Sequence, residues 1–277
     1  GGRRLGKAPA VRPKVRDNVG PDGFHLPLYP LTELWGNGAV WAFLGAFSLM
    51  IAMMPWLPPL RRAKAAEIDL DHCNGCARCA EDCPYEAIRM VNRTDELPFP
   101  TQAEVNPSLC VSCGICVGSC PSSTPFRRTD ELKTGIDLPE YSLRELREKV
   151  MDTASNLSGP GRVLVLACEH GAAAGRLGDT VVMPCVAMAP PSLIDFILSR
   201  DLADGVVVAG CAESACYNRL GVQWTEQRFA AARDPYLRAR VPRERIATLW
   251  ASALAASKTE ADIAEFAARV AAMPPKR

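Results

Sequence analysis

The stretches CNGCARCAEDCP (residues 73–84) and CVSCGICVGSCP (residues 110–121) decide the fold of the middle of the chain. Both follow the pattern C-x-x-C-x-x-C-x-x-x-C-P. Three cysteines at three-residue intervals on one tight loop can point thiolates at three irons of one iron–sulfur cube, and the fourth iron then needs a distant donor. Pro84 and Pro121 end each run and turn the chain. Two copies of the pattern predict two [4Fe-4S] clusters.

The segment from Glu67 to Arg127 resembles the bacterial-type two-cluster ferredoxin domain. The resemblance implies an α+β ferredoxin-like fold that transfers single electrons at low potential, with the fourth cysteine of each run ligating the cluster of the other run. Ile68-Asp69, Ala87–Met90 and Val105-Asn106 look like the short strands that flank such clusters. The implied ligands are Cys73, Cys76, Cys79 and Cys120 for the first cluster, and Cys110, Cys113, Cys116 and Cys83 for the second.

Other interpretations of these cysteines use zinc or disulfides. Structural zinc also uses C-x-x-C pairs, but a tetrahedral ion takes two pairs and needs no third cysteine at the same interval. The runs are also too dense and regular for scaffold disulfides. The chain has 12 cysteines, and the two runs leave four, enough for one more metal site. Cluster thiolates need a reducing compartment, which places this part on the cytoplasmic side.

Length and charge set only broad limits. The 277 residues can form one large domain or two small ones, and 48 % hydrophobic residues is ordinary for a globular protein. The net charge of +1 provides no long-range field, so nucleic acid is not indicated as a partner.

Residues 34–60 contain no charged side chain, and their length fits a transmembrane helix. Trp35, Trp41 and Trp56 lie where interfacial aromatic residues are expected, and the prolines after residue 54 would end the helix. A signal peptide or a buried core helix are the alternatives, although no small-residue cleavage site follows and a core helix is rarely apolar on every face. Residues 1–33 are expected to form an extended arm.

The orientation of this span follows from nearby basic residues. Arg61, Arg62 and Lys64 come directly after it, whereas the closest basic residue before it is Arg16, so the carboxyl side is expected in the cytoplasm. Residues 22–36 resemble the run that leads into a transmembrane helix of a cytochrome b. This resemblance implies a quinone or haem b site close to the chain, with His25 near it or simply at the membrane interface.

Residues 131–160 are expected to form a linker with a short amphipathic helix from Tyr141 to Met151. Residues 161–277 then alternate short β-rich runs with helical stretches, which predicts an α/β domain with a parallel, flavodoxin-like sheet covered on both faces. The predicted strands are 163–167, 181–183, 206–209 and 245–250. Sites in such sheets form at the carboxyl ends of strands. The four remaining cysteines follow predicted strands and are expected to converge there: Cys168, Cys185, Cys211 and Cys216.

The region from Gly161 to Arg233 resembles the delta-subunit domain of methyl-viologen-reducing hydrogenases. The resemblance implies a [2Fe-2S] cluster and a relay of electrons to a flavin-containing, heterodisulfide-reductase-like partner. The family's first motif has a further cysteine where this chain has Gly171, so Cys168 stands alone and the four cysteines are the expected ligands. His170 is an alternative ligand.

No phosphate-binding loop, dinucleotide fingerprint or Ser/His/Asp arrangement is present in the sequence. The sequence therefore predicts a non-catalytic electron-transfer subunit of an oxidoreductase complex at the inner membrane, with one membrane span and cytoplasmic clusters. It would work between a cytochrome b or quinone-binding subunit and a flavin-containing subunit. The alternatives are a metal-stabilised docking subunit without electron transfer, and a catalytic hydrogenase or disulfide reductase, which the lack of unused cysteines disfavours.

Overall fold

The structure, a computed structural model, describes residues 28–57, 63–123, 132–174 and 180–274. The chain divides into two compact units, Gly1–Arg62 and Ala63–Arg277. His25 and the rest of the predicted arm up to residue 27, together with residues 58–60 of the predicted span, lie outside the described residues.

The first unit contains one long helix, α1 (Leu28–Met53), followed by a 3-10 turn at Met54–Trp56. The helix begins at Leu28, inside the arm that the sequence predicts to be extended. Pro30 lies in its first turn, where backbone N–H groups have no acceptor within the helix and proline is therefore tolerated. Gly36 interrupts it with a non-helical backbone (φ 75°, ψ 153°), a conformation that glycine adopts easily.

The part of α1 after this break is apolar. In the described part of the chain, one helix is long and apolar enough to cross a membrane: residues Leu34–Trp56, 23 residues with a mean hydropathy of 1.7. At 1.5 Å per residue it measures about 34 Å, against about 30 Å for a bilayer core. Only 6 % of its most apolar stretch is buried. This low burial does not fit a buried core helix, which was one of the alternatives to a membrane span.

The second unit begins with short elements around the two cysteine runs: β1 (Glu67–Ile68), α2 (Arg78–Glu81), β2 (Ile88–Asn92), β3 (Thr101–Val105), α3 (Ile115–Ser119) and β4 (Ile136–Asp137). β1 pairs with β4 and β2 pairs with β3, both antiparallel. A strand therefore overlaps each of the three stretches where the sequence predicts one. β4 lies in the expected linker, but its pairing with β1 joins it to the cysteine-rich part.

The amphipathic helix of the expected linker is α4 (Leu143–Ser155). Ser142 accepts a hydrogen bond from the Glu145 backbone, and the Glu145 side chain bonds back to Ser142, so a capping box fixes the start of the helix. Leu143, Leu146 and Val150 form the buried face, as the sequence periodicity predicts.

The remaining elements form an α/β layer structure: β5 (Val163–Cys168), β6 (Thr180–Met183), α5 (Pro191–Ser199), β7 (Gly205–Gly210), α6 (Gly221–Phe229), β8 (Ile246–Trp250) and α7 (Ala256–Ala271). The sheet order is β6-β5-β7-β8, and each pair is parallel. The predicted parallel sheet is confirmed.

The sheet is covered on both faces, because alternate residues of β5 enter different cores. Val163, Val165 and Ala167 pack with Phe266 and other residues of α7. Leu164 and Leu166 belong to a larger core that also holds buried residues of α4 and α5.

That larger core extends into the cysteine-rich part. Ile88, Ala103 and Val117 share it with Leu166 and Ile194. The two parts that the sequence separates with a linker therefore pack around one common interior.

Candidate iron–sulfur sites

The two cysteine runs adopt the same loop conformation. In the first run Gly75 and Ala77 have positive φ values of 68° and 63°, and in the second run Ser112 and Gly114 have 57° and 76°. These residues occupy equivalent positions on either side of the second cysteine. The left-handed backbone at both positions curls each loop so that its first three cysteines face one point.

The first group of thiols surrounds a cavity. Cys73, Cys76, Cys79 and Cys120 all line the same small pocket. The pKa of Cys79 is raised to about 12, most of all by burial and then by the neighbouring thiols of Cys120, Cys76 and Cys73. Cys120, which belongs to the second run, therefore lies among the first three cysteines of the first run.

The second group mirrors the first. The pKa of Cys113 is raised to about 11, most of all by burial and then by the thiols of Cys83 and Cys110. Cys116 is buried, and its pKa is raised by burial and then by Cys113 and Cys79. Cys83 of the first run therefore lies among the cysteines of the second, and Cys79 and Cys116 connect the two groups.

Backbone N–H groups point at several of these sulfur atoms. The Ala87 N–H donates to Cys83 Sγ at 3.3 Å, and the Ala66 N–H donates to Cys110 Sγ at 3.5 Å. Such hydrogen bonds stabilise thiolates and are one of the factors that set the potential of a cluster. The raised pKa values mean that so many thiols cannot ionise together without a cation. Both features fit residues that hold iron.

The third group lies at the carboxyl ends of the sheet strands. Cys168 ends β5, Cys185 follows β6 and Cys211 follows β7. The Sγ atoms of Cys168 and Cys211 are 3.6 Å apart. The pKa of Cys216 is raised by a hydrogen bond to Cys211 and by burial. The four cysteines therefore converge at one sheet edge.

Helix α6 starts against this third group. An ideal Cβ on Gly221, its first residue, would lie 2.4 Å from Cys185 Sγ and 3.6 Å from Cys216 Sγ. The pKa of Cys185 is raised to about 12, most of all by burial and then by the thiols of Cys113, Cys216 and Cys211. The absence of a side chain at Gly221 leaves room for the sulfur atoms.

The second and third groups touch. Cys185, Ile115, Ala187 and Trp224 form one buried apolar cluster, and Cys113 packs against it. Of the thiols that raise the pKa of Cys185, Cys113 has the largest effect. The groups therefore lie in the order first, second, third, with the second in the middle.

The sequence left two alternatives open: His170 as a ligand in place of a cysteine, and zinc in place of iron. His170 is 3.2 Å from Glu169 and stacks on the Tyr217 ring, with centroids 3.6 Å apart. Among the described residues, no group of three His, Cys, Asp or Glu side chains is placed to hold a single metal ion. All twelve cysteines lie in the described ranges, and none forms a disulfide.

Sequence reasoning missed a buried ion cluster between the groups. Arg228 of α6 donates to Asp82 and, at 2.6 Å, to Ser119 Oγ. Arg233 donates to the other oxygen of Asp82 at 2.7 Å. The signal available in the sequence was positional: Asp82 and Ser119 directly precede the fourth cysteine of each run. No pattern indicated Arg228.

The cysteine groups define an iron–sulfur protein of the electron-transfer class, and comparisons with known proteins give its domains. Residues 72–124 match the family described as 4Fe-4S dicluster domain, and residues 163–274 match the methyl-viologen-reducing hydrogenase, delta subunit. The ferredoxin and delta-subunit resemblances seen in the sequence are confirmed. The chain therefore joins a region that matches a dicluster ferredoxin domain to a region that is similar to the hydrogenase delta subunit.

A curated relative matches a shorter stretch. Pyruvate synthase subunit PorD from Methanothermobacter marburgensis is 59 % identical over 27 residues, which are 10 % of this chain and 33 % of that protein. The chain thus spans about a third of the length of the curated relative that it matches.

Proposed function

We propose that the protein is a membrane-anchored electron-transfer subunit with two [4Fe-4S] clusters and one [2Fe-2S] cluster. It relays electrons between a quinone or cytochrome b site in the membrane and a soluble flavin-containing partner. Each electron received from a reduced partner is passed to an oxidised one, so the chain itself is unchanged after each transfer.

The contact between the second and third thiol groups carries this proposal. Cys113 and Cys185 come from different parts of the sequence, yet both pack in the same buried apolar cluster. Groups that served only to stabilise their own domains would have no need to meet. Contact between ligands instead brings two redox centres close together inside the protein.

The residues have distinct tasks in this function. The first group (Cys73, Cys76, Cys79, Cys120) and the second group (Cys110, Cys113, Cys116, Cys83) each hold one [4Fe-4S] cluster. The third group (Cys168, Cys185, Cys211, Cys216) holds the [2Fe-2S] cluster. When bound, the clusters supply reversible one-electron chemistry at iron. The chain orients the thiolates, donates backbone N–H groups to sulfur and excludes water from the middle of the relay.

Exposure of the thiols indicates where electrons enter and leave. Cys76 of the first group is exposed and Cys216 of the third is partly exposed, whereas Cys116 and Cys185 between them are buried. The two ends are therefore the places where partners contact the relay.

The finer fold assignments belong to the same proposal. The short antiparallel pairs around the two runs support a ferredoxin-like dicluster fold. The sheet order β6-β5-β7-β8 places the first strand of the domain between the second and third, as in flavodoxin-like folds. The ligands of the third group then lie at the strand ends, where such folds bind their cofactors.

The membrane anchor rests on α1. Its apolar stretch has the length of a membrane span, and its side chains are exposed, with Trp41 at 74 % and Trp56 at 81 %. The positive residues directly after it favour a cytoplasmic carboxyl side. The relatives are named as subunits of a hydrogenase and of pyruvate synthase, which supports partnership with other redox subunits.

Iron and acid-labile sulfide analysis of the anaerobically purified full chain tests the clusters, followed by electron paramagnetic resonance during reductive titration. We expect about ten irons per chain, from two cubanes and one two-iron cluster. About eight irons with cubane signals alone would refute the third cluster and favour a docking role for the α/β part. Zinc in place of iron, or redox-silent iron, would refute electron transfer.

Fractionation tests the membrane anchor. We expect the full chain to stay with membranes after alkaline carbonate extraction. The part from residue 63 onward should be cleaved by protease in inverted vesicles and protected in spheroplasts. Extraction into the soluble fraction would refute the span, and the reverse protection pattern would refute the orientation.

A further inference from the structure

The ion cluster of Arg228, Asp82 and Arg233 lies between the three thiol groups. The Arg228 side chain is 1 % exposed and that of Asp82 is 4 % exposed. Arg228 Nη1 donates to the Ala187 carbonyl at 2.7 Å, two residues after Cys185. The same guanidinium also donates to Asp82 and Ser119, which directly precede Cys83 and Cys120. One side chain thus reaches the ligand loops of all three groups.

Stability alone does not explain this ion cluster. Burying a guanidinium is costly, and a buried ion pair can often be replaced by apolar residues without loss of stability. Arg228 Nε also has no hydrogen-bond partner among the described residues, and burial lowers the pKa of the guanidinium. The feature that apolar residues could not reproduce is charge.

The net charge of the cluster is positive. Asp82 carries one negative charge, and two arginines contact it: Arg228 through one carboxylate oxygen and Arg233 through the other. The sum is +1 beside the cysteine groups, with Arg228 and Asp82 buried and Arg233 27 % exposed. In a poorly solvated interior such a charge acts strongly on its neighbours.

We propose that Arg228 is a positioning residue that raises the reduction potentials of the neighbouring clusters, most of all that of the third cluster. Reduction adds negative charge, and a nearby buried positive charge stabilises the reduced form. Arg228 interacts electrostatically with Cys185, whose loop it also holds. This inference rests on the proposed electron-transfer function.

Two single variants that break the same ion pair separate charge from structure. Arg228→Met removes the positive charge and leaves Asp82 paired with Arg233. Asp82→Asn removes the negative charge and keeps an oxygen that can accept from Arg228. We expect the midpoint potential to shift to more negative values in Arg228→Met and to more positive values in Asp82→Asn.

The double variant and two controls complete the test. Arg228→Met with Asp82→Asn restores the net charge of +1 through Arg233, so its potential should return toward that of the wild type. Arg228→Lys keeps the charge and should shift the potential less than Arg228→Met does. Arg89→Met removes an arginine from the exposed pair with Glu104, 74 % and 49 % exposed, and should cause no shift.

The measurement is a redox titration of each variant by electron paramagnetic resonance, with iron content determined on the same samples. Shifts of the same sign in Arg228→Met and Asp82→Asn, or no shift in either, would overturn the inference while leaving the relay intact. If Arg228→Met does not fold, the shifts in Asp82→Asn and in the double variant decide the matter by their sign. Wild-type protein without redox-active iron would instead refute the proposed function, and this inference with it.

Discussion

Replacement of Gly118 by alanine should have two opposing effects: alanine favours the helix, but its methyl group collides with neighbouring atoms. Gly118 is buried in α3 between Cys116 and Cys120, where alanine is intrinsically favoured by about 1 kcal/mol. An ideal Cβ at this position, however, would lie 2.0 Å from the Ala187 carbonyl oxygen and 3.0 Å from Arg228 Nη1. A backbone carbonyl cannot rotate away as a flexible side chain can, so either α3 or the Ala187 loop must move.

The magnitude follows from the contacts that such a movement disturbs. Overpacking a buried site costs about 1–3 kcal/mol. Displacing the Ala187 carbonyl also weakens its hydrogen bond from the charged Arg228, worth about 1.5–3 kcal/mol. After subtraction of the propensity gain, Gly118→Ala is expected to destabilise the protein by about 2–5 kcal/mol. This is a large part of the roughly 5–15 kcal/mol that stabilises a typical domain.

Cluster loss makes unfolding irreversible, so the assay is a rate: the bleaching of visible iron–sulfur absorbance in guanidinium under anaerobic conditions. If half of the destabilisation reaches the unfolding barrier, bleaching should be about 5- to 70-fold faster. Gly45→Ala is the matched control, because Gly45 is also helical and its ideal Cβ has nothing within 4 Å. An unchanged or slower rate for Gly118→Ala would refute the predicted collision.

Three further predictions concern the separate groups. Gly221→Ala places a Cβ about 2.4 Å from Cys185 Sγ, so iron content should fall from about ten to about eight per chain while cubane signals remain. Arg93→Met removes a side chain that donates to the Cys73 carbonyl, so the signal of the first cluster should decay fastest when the variant is exposed to air. The pKa of Cys79 is raised to about 12, so its thiol is neutral at pH 8 and must lose a proton to bind iron. Binding of Fe²⁺, without added sulfide, to the iron-free protein at pH 8 should therefore release protons from neutral thiols such as that of Cys79, measured with a pH-stat, and a higher pH should favour binding.

Each of these predictions has an outcome that contradicts it. Full iron content in Gly221→Ala would show that α6 does not press on the third group. Equal decay of all signals in Arg93→Met would separate Arg93 from the first loop. Binding of Fe²⁺ without proton release would contradict the raised pKa of Cys79.

Where the cysteines lie in the fold was largely predictable, because that information is local. The spacing within residues 73–84 and 110–121 determines where the thiols of each loop point. Cys168, Cys185 and Cys211 follow strands, and parallel strands bring their carboxyl ends to one edge. The short strands, the buried face of α4 and the parallel sheet were predictable for the same reason.

The arrangement of the groups relative to one another was not predictable. Arg228 and Asp82 are separated by 146 positions, and no spacing rule connects them. The pairing of β4 with β1 joins residues on opposite sides of both cysteine runs. The early start of α1 depends on backbone choices around Pro30 and Gly36 that apolar content does not reveal. These features arise from tertiary packing, which single-sequence patterns do not encode.

The common interior that holds Val117 together with Leu166 has a consequence for control. Rates of electron tunnelling depend steeply on the gap between centres, and here that gap cannot widen without opening a close-packed interior. We therefore expect no hinge that switches electron transfer on and off between these two parts of the described chain. In the proposed function, electron transfer is instead controlled by the partners that bind near the first and third cysteine groups and by the buried charges between the groups.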